Sequence, residues 1–392
     1  MKYRLLEILC CPACQGDLQL EIYKKEQLDD KVVGSATSLC RKHCGFHNLP
    51  VNEIKPTGCS GCYQVEILEG KLICKCGYAC PVINGIPRIL PYELLIETLS
   101  QYHHEYVESY LKESSDNNPA IASTKKKIAT MHAFGYQWTT FVENFDYYRD
   151  VFLGFVRPHL GQDDFKDKLV LDVGCGSGRP ASVACSLGAE VIAVDLSEAV
   201  ETAYLQSKHY PKLHAIQGDA YSLPVKPCFD FVYSVGVLQH LPEPANALKS
   251  IARTVPMGHK LVLWVYGKRE LWYQPIEWLR KFTRKMSYRS LHVLSYILAV
   301  LSEIFLLIPY RILSKFDLTK PISGKIPGRI YAGLPFKENL IGWFDRLSAP
   351  VTYYFSRDDV EHMLSDAGFN EINIVSRPDA SASWVAKAVR TK

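Results

Sequence analysis

The stretch from Lys168 to Arg179, KLVLDVGCGSGR, constrains the fold of this chain more than any other part of it. An apolar run ends at Asp172, and a glycine-rich turn follows at once, before small residues resume. This order predicts a buried strand, a tight loop and the start of a helix. Glycines let a backbone come close to a ligand where a side chain would block it. The turn is therefore predicted to bind a cofactor, whose kind depends on what lies about 20 residues further on.

Three acidic residues at strand ends narrow the kind of cofactor. Asp195 ends the apolar run EVIAVD, where an acid can accept hydrogen bonds from both hydroxyls of a ribose. Asp172 precedes the glycines, where a carboxylate would repel a pyrophosphate but suits a cationic ligand. Asp219 follows a third short strand, and the run from Phe229 to Ser234 predicts a fourth. The pattern indicates an α/β fold and favours a cationic cofactor that carries a ribose.

These motifs, in this order and spacing, closely resemble the class I S-adenosylmethionine-dependent methyltransferases over residues 165–265, and again from Phe355 to Arg377. The resemblance implies a Rossmann-like, seven-stranded sheet and S-adenosyl-L-methionine as cofactor. It implies that Asp172 holds the ammonium group, Asp195 the ribose and Asp219 the adenine amino group. The other implied contacts are the loop residues Gly174, Cys175, Gly176 and Gly178, Leu196 and Ala220 at the adenine, and Ser234 near the sulfonium.

Cysteine is concentrated at the start of the chain, where 10 of the 13 cysteines precede Pro81. Clustered pairs indicate metal rather than disulfides in a reducing compartment. Cys11 and Cys14 form one C-x2-C pair, and Cys59 and Cys62 form a second. Two such turns can complete a tetrahedral zinc site. A segment this short has little core of its own, so the metal would supply much of its folding energy.

The two ends of this segment, LEILCCPACQGDLQL and GKLICKCGYACPVINGIPRIL, resemble a zinc-ribbon family. The family is the small partner that activates tRNA, rRNA and release-factor methyltransferases, with its bacterial relatives. The resemblance implies one structural zinc site made of Cys11, Cys14, Cys74 and Cys76. A second site in an insertion would then use Cys40, Cys44, Cys59 and Cys62, with His43 or His47 as substitute ligands.

We divide the chain into a zinc-ribbon β domain (1–92), a linker with cap helices (93–140) and a methyltransferase domain (141–392). The aromatic stretch from Phe134 to Phe141 either packs in the core or caps the cofactor, with Tyr136, Gln137 or Trp138 touching it. His240 follows the fourth strand, and it is the candidate base for a hydroxyl acceptor or else a hydrogen-bonded histidine at a helix start.

A helical lid insertion is predicted over 268–350. The segment from Lys268 to Arg329 contains twelve lysines and arginines but only four acidic residues. The apolar run from Leu291 to Ile308 lies between its basic clusters. The run is either a membrane span, a lid over the acceptor pocket, or a lid that also rests on anionic lipid over 268–330. Asp345, Arg346 and Tyr353 are candidate polar contacts to the acceptor.

Three functions fit these patterns. The first is methyl transfer to a small-molecule, glycan or lipid-linked acceptor, at a hydroxyl. The second is methylation of RNA or protein with the zinc ribbon as a built-in activator, and the third is a non-catalytic, cofactor-binding zinc adaptor. A net charge of +4 gives no global sign of nucleic-acid binding, and no Asn/Asp-Pro-Pro-Tyr/Phe motif follows the fourth strand, so we do not expect nucleic acid as a partner. The start of the chain lacks a signal-peptide pattern, which favours a cytoplasmic protein, with contact at the inner membrane surface as an alternative.

Overall fold

A computed structural model describes residues 1–28, 40–54, 61–107, 121–141, 147–268, 274–317, 326, 328–377 and 383–392. The first ninety residues form an antiparallel meander with a two-stranded hairpin beside it. Its strands are β1 (Leu18–Gln27), β2 (His43–Cys44), β3 (Leu49–Pro50), β4 (Val65–Cys74), β5 (Ala79–Ile83) and β6 (Ile86–Ile89), and its short helices are α1 (Leu5–Ile8) and α2 (Gly61–Gln64).

The second part of the chain is built on a seven-stranded sheet, as predicted. Its strands are β7 (Leu169–Val173), β8 (Glu190–Asp195), β9 (Leu213–Gly218), β10 (Phe231–Val235), β11 (Lys260–Tyr266), β12 (Phe369–Ser376) and β13 (Ser383–Arg390). Their order is β9-β8-β7-β10-β11-β13-β12, with only β13 antiparallel to its neighbours. The fold class is therefore confirmed, although β10 begins at Phe231 and not at Phe229.

Helices cover the sheet and form the insertion. They are α3 (Tyr92–Tyr102), α4 (Ile121–Thr140), α5 (Tyr148–Val156), α6 (Arg179–Ser186), α7 (Ala199–Gln206), α8 (Pro244–Thr254), α9 (Gln274–Thr283), α10 (Tyr288–Ser302), α11 (Ile308–Leu313), α12 (Phe336–Ser348) and α13 (Arg357–Asp366). A π-helical turn, Glu303–Leu307, joins α10 to α11. The combined helix Tyr288–Leu313 has a mean hydropathy of 2.2 and is long and apolar enough to cross a membrane, although those two properties alone do not show that it does.

The meander strands of the ribbon domain continue the sheet of the second part of the chain. Strand β6 pairs in parallel with β9, with Arg88 opposite Gln217 and Ile89 opposite Gly218, so the two parts share one eleven-stranded sheet. An edge strand carries unpaired backbone groups, and β6 satisfies those of β9. The ribbon therefore lies directly beside the strand that leads to Asp219.

Buried ion pairs fasten the ribbon to the sheet. The Arg4 guanidinium donates to Glu190 with 2.9 Å between Nε and Oε1, and the Tyr63 hydroxyl donates to the same carboxylate at 2.6 Å. Burial opposes ionisation of Glu190, but the hydrogen bond to His214 and the charge of Arg4 outweigh it and lower its pKa to about 2. Removing one member of such a cluster leaves the others buried without a partner, which makes the joint sensitive to single changes.

Candidate functional site

A cavity of about 510 Å³ opens at the carboxyl ends of β7 to β10. This edge is where the strand order reverses between β7 and β10, the place where open parallel sheets bind ligands. Its walls come from the glycine turn, from the loops after β8 and β9, from helix α4 and from the insertion helix α12. The cavity has the volume usual for a small-molecule site.

The glycines of the turn allow its backbone to lie close to neighbouring elements. Gly174 has φ +77°, and a Cβ added there would lie 2.2 Å from a methyl carbon of Val237 on the loop after β10. Gly178 does not line the cavity, and a Cβ there would lie 2.9 Å from Ala203 of helix α7. The first glycine therefore keeps the turn against the β10 loop, and the third lets two helices pack closely.

Asp172 is buried at the end of β7, next to the glycine turn, and does not itself line the cavity. Its Oδ2 has no hydrogen-bond partner among the described residues. Burial raises the pKa of Asp172 to about 8, the neighbouring Tyr233 hydroxyl opposes that rise, and the charge of Asp195 adds to it. A cationic ligand would supply the missing opposite charge, so this side chain fits a cofactor with an ammonium and a sulfonium group.

Asp195 lies on the cavity wall and is already held by three hydrogen bonds. Its Oδ2 accepts from the backbone N–H of Gly176 at 2.8 Å. Its Oδ1 accepts from the backbone N–H and the hydroxyl of Ser197, at 2.8 and 2.6 Å. The carboxylate thus ties the glycine turn to the end of β8, which fixes where a ribose could meet it.

Asp219 has a cationic partner that the motifs did not indicate. The Lys127 ammonium of helix α4 lies 3.1 Å from Asp219 Oδ2 and 3.8 Å from the centre of the Tyr221 ring. The only sequence signal was the run Lys125 to Lys127, in a segment without a recognised motif. Lys127 therefore stands at the carboxylate predicted to accept from the adenine amino group.

The remaining predicted cofactor residues divide into two groups. Cys175, Gly176, Leu196, Ala220 and Trp138 line the cavity. Ser234 and Tyr136 do not line it. The Ser234 hydroxyl donates to the carbonyl of Val173 at 2.9 Å, and the Tyr136 ring stacks on Tyr288 of the insertion at 5.0 Å. The structure thus corrects both expectations, because one side chain joins β10 to β7 and the other packs against the lid.

His240 lies on the cavity wall between two aromatic rings. Its Nδ1 is 3.0 Å from the carbonyl oxygen of Val351, and the centre of its ring is 4.9 Å from that of Phe134 and 5.5 Å from that of Tyr266. A carbonyl only accepts, so Nδ1 carries the proton and Nε2 keeps its lone pair. Burial lowers the pKa of His240, so the ring is neutral near pH 7 and can accept a proton.

Arginines and aromatic rings also line the cavity, and one of these arginines, Arg179, directly follows the glycine turn. Arg179 donates to Glu338 with 2.7 Å between Nη1 and Oε1, and its guanidinium lies 4.3 Å from the centre of the Tyr148 ring. The other lining arginines are Arg280, Arg346 and Arg377. Of the predicted acceptor contacts, Asp345 and Arg346 line the cavity, whereas Tyr353 does not and instead donates to the Pro242 carbonyl at 3.0 Å. Arg377 comes from the far end of the chain, where it ends the stretch from Phe355 that carries the resemblance, but the resemblance gave it no role.

Four cysteine sulfurs of the ribbon lie within 4.8 Å of one another, those of Cys11, Cys14, Cys74 and Cys76. The Cys11–Cys76 and Cys14–Cys74 sulfur pairs are 3.6 and 3.4 Å apart. A tetrahedral zinc with bonds of about 2.3 Å requires sulfur separations of roughly 3.8 Å. The set fits zinc and matches the grouping that the resemblance implied.

A second cluster joins the sulfurs of Cys40, Cys44 and Cys62. Cys62 Sγ is 3.5 Å from each of the other two, and His47 Nδ1 lies 3.3 Å from Cys44 Sγ. Cys59 lies outside the described residues. His43, the other substitute ligand we considered, has its Nε2 3.3 Å from the side-chain oxygen of Asn48. The cluster supplies three of the predicted ligands and one candidate for the fourth.

Two family models match different parts of the chain. One is described as a methyltransferase domain and matches residues 171–263, where the glycine turn and the three acids lie. The fold of this part is that of a methyltransferase domain. The other model is described as a Trm112p-like protein and matches residues 2–85. The chain therefore carries a Trm112p-like zinc-ribbon domain and a methyltransferase domain in one polypeptide.

Curated relatives match the catalytic part. A tRNA U34 carboxymethyltransferase from Pseudoalteromonas atlantica is 32% identical over 112 residues, which is 28% of this chain and 34% of that protein. A ubiquinone biosynthesis O-methyltransferase from Idiomarina loihiensis is 32% identical over 120 residues, which is 28% of this chain and 46% of that protein. The chain thus spans between a third and a half of the length of these relatives.

Solved structures match more loosely. A S-adenosylmethionine-dependent methyltransferase from Thermotoga maritima is 15% identical with a TM-score of 0.39, covering 67% of this chain and all of that one. A chain from the complex of the Haloferax volcanii Trm112 methyltransferase activator with a methyltransferase is 14% identical with a TM-score of 0.37, covering 63% and 91%. At these scores the likeness carries no argument about the site.

Proposed function

We propose that the protein transfers a methyl group from S-adenosyl-L-methionine to a hydroxyl of a small-molecule or lipid-linked acceptor. The observation that carries this proposal is one cavity whose wall holds the glycine turn, Asp195 and Asp219 together with aromatic rings and arginines. Alignment of cofactor and acceptor is the main requirement of an in-line methyl transfer.

Each of the predicted cofactor residues would contact a different part of the cofactor. When bound, the cofactor would supply an electrophilic methyl group on a sulfonium. Asp172 would hold the ammonium group, and Gly174 and Gly176 would leave room for the methionine part. Asp195 would accept from the ribose, and Leu196 and Ala220 would contact the adenine. Lys127 would either leave Asp219 or share it with the adenine amino group.

His240 is proposed as the general base. Its Nδ1 proton is committed to the Val351 carbonyl, so Nε2 would take the proton of the acceptor hydroxyl as the oxygen forms its bond to the methyl carbon. The bond from sulfur to that carbon breaks in the same step. Burial keeps the imidazole neutral, which is the form that this role requires.

The ribbon is proposed to hold zinc and to support the cofactor site in cis. Cys11, Cys14, Cys74 and Cys76 would bind the first ion, and Cys40, Cys44 and Cys62 would bind a second with His47 or Cys59. Arg88 of β6 donates to the side-chain oxygen of Gln217 at 2.9 Å. The Gln217 amide donates in turn to the carbonyl of Leu196 at 3.0 Å. The ribbon thereby reaches the adenine side of the cavity through two side chains.

Methylation of RNA is the second candidate. The Trm112p-like match and the tRNA enzyme among the relatives favour it, so nucleic acid is not discarded as a partner. The aromatic rings in the cavity wall favour the small molecule. Salt-dependent retention of the full chain on RNA would support this second candidate, since phosphate contacts weaken as counterions are added.

Calorimetric titration of the purified chain with S-adenosyl-L-methionine tests the cofactor part of the proposal. One cofactor bound per chain is the expected result. No measurable binding under conditions where the protein is folded would overturn the proposed function and leave the zinc adaptor as the remaining interpretation.

A further inference from the structure

Helix α10 buries one leucine and three small residues and leaves several large apolar residues exposed. Its buried positions are Leu291, Ser295, Ala299 and Ser302. The exposed stripe, here called the outer face, comprises Val293, Tyr296, Ile297, Leu301, Ile304 and Phe305. Phe305 is 69% exposed and Ile297 is 49% exposed. A helix in water normally buries such residues, so the outer face is expected to be covered in the working protein.

The inner face of α10 is fixed to the domain by polar contacts. The Trp343 indole N–H donates to the Ser302 hydroxyl at 3.0 Å, and the Asn339 amide donates to the Ala299 carbonyl at 3.2 Å. In α11, the Arg311 guanidinium donates to the Ala332 carbonyl at 2.8 Å. A span across a bilayer would break these contacts and would place the two ends of the helix on opposite sides of the membrane. The contacts therefore hold the helix along the surface of the domain.

Basic side chains flank the outer face at both ends. Lys281, Arg284, Lys285 and Arg289 are exposed before it, and Lys315 is exposed after it. Glu303 is paired with Arg311, and the exposed Asp317 follows Lys315, so the excess of positive charge lies before the helix. If two copies met through this face in parallel, their basic ends would repel each other. Anionic lipid headgroups, in contrast, complement the basic end while the acyl region covers the apolar stripe.

We propose that the outer face docks the protein onto the surface of a membrane that contains anionic lipid. The helix lies in the plane of the interface, with Ile297 and Phe305 below the headgroups and the lysines and arginines among the phosphates. Helix α12 packs against α10 and lines the cavity with Ile341, Gly342 and Asp345. Docking therefore holds the cavity one helix away from the lipid surface.

Flotation of the full chain with vesicles tests this proposal. The probes are vesicles of phosphatidylcholine alone and of phosphatidylcholine with about one third phosphatidylglycerol. We expect binding on the order of tenfold stronger to the anionic vesicles, weakening as salt is added. The double changes Ile297→Ser with Phe305→Ser and Lys281→Glu with Lys285→Glu should each lower that binding by roughly tenfold or more.

Matched controls come from exposed residues on other elements. Leu205 and Met257 are 51% and 58% exposed, so Leu205→Ser with Met257→Ser removes comparable apolar surface elsewhere. Lys208→Glu with Lys249→Glu makes the same charge change elsewhere. Both controls should float like the unchanged protein, and all variants should keep its affinity for S-adenosyl-L-methionine, which shows that they are folded.

Three results would overturn the proposal. They are failure of the unchanged chain to float at low salt, equal flotation of the outer-face variants, and sedimentation of the lipid-free chain as a dimer that Phe305→Ser dissociates. Because flotation needs neither cofactor nor acceptor, its failure is distinguishable from failure of the proposed methyl transfer.

Discussion

Asp172 affects both the stability of the cofactor-free protein and the binding of the cofactor. A buried carboxylate without a counter-charge destabilises the cofactor-free protein, and a cationic ligand reverses that cost. Asp172→Asn should therefore weaken binding of S-adenosyl-L-methionine by roughly tenfold or more while leaving the cofactor-free protein at least as stable. Calorimetry and thermal unfolding of the same preparation measure the two effects. Equal affinities of the variant and the unchanged protein would remove Asp172 from the cofactor site.

The raised pKa of Asp172 also predicts how stability and binding depend on pH. The carboxyl has a pKa of about 8 in the folded, cofactor-free state, above its ordinary value of 3.8. The native state thus holds a proton that the unfolded chain has lost between these values, so this group's contribution to stability falls as pH rises. Cofactor binding needs the carboxylate, so affinity should weaken as pH falls below about 8, and Asp172→Asn should abolish that dependence. Affinity that is flat from pH 6 to 9 would contradict this.

His240 should affect turnover and not cofactor affinity. His240→Gln keeps a group that can donate to Val351 but supplies no base, so turnover should fall by about 10²- to 10⁴-fold. The unchanged enzyme should lose activity as pH falls through the lowered pKa of His240, and the variant should lack that acid limb. A pH–rate profile with a matched cofactor titration measures both. Full turnover of the variant would leave His240 as a packing residue.

The residues that could be predicted are those whose neighbours in sequence are also their neighbours in space. Asp172, Gly174 and Asp195 are recognisable because a strand end and its turn form one local pattern. Lys127 contacts Asp219 from a distant segment without a motif, and Arg377 lines the cavity from the end of a recognised stretch that gave it no role. Ser234 was misassigned because strand alternation does not show whether a side chain at a strand end faces the cavity or a neighbouring strand.

At the scale of elements, the pairing of β6 with β9, here called the joint, connects the ribbon to the methyltransferase domain. Arg88 is buried and contacts Glu198, Glu201 and Gln217, so its loss would leave carboxylates without their cation. Arg88→Met should lower the free energy of unfolding by about 3 to 5 kcal/mol and should also weaken cofactor binding. Chemical denaturation and calorimetry measure these effects.

A matched arginine on the surface gives the comparison. Arg357 pairs with Glu361 one helical turn away at 3.0 Å, with its side chain about half exposed. Arg357→Met should cost no more than about 0.5 kcal/mol. If the two variants were equally stable, the joint would not depend on Arg88.

This joint is also the element that sequence patterns could not reveal. The strands themselves are visible as short apolar runs, but edge pairing leaves no mark on composition, so the pairing of β6 with β9 was not predicted. The orientation of helix α10 about its own axis is another feature that the sequence did not reveal. Its apolar run was visible, yet which side faces the protein depends on partners in α12 that lie forty residues further along the chain.

Zinc should be required for the ribbon part of the shared sheet. Prolonged chelation or the change Cys14→Ser should release metal and lower the unfolding temperature, because metal binding supplies folding free energy to so small a unit. Metal analysis should find two zinc ions per chain in the unchanged protein and fewer in the variant. Cys80→Ser is the control, since Cys80 belongs to neither cluster. Less than one zinc per chain in the unchanged protein would contradict both sites.

The whole molecule is one sheet with a zinc ribbon at one edge, a proposed cofactor cavity at its carboxyl ends and a lid with an apolar outer face.

The fate of a labelled methyl group tests the proposed methyl transfer most directly. The full chain is incubated with methyl-labelled S-adenosyl-L-methionine and cell extract, and the products are separated into organic-soluble small molecules, protein and RNA. The account predicts label in the organic-soluble fraction that resists ribonuclease and protease. Label confined to ribonuclease-sensitive material, or no label above that of His240→Gln, would contradict it.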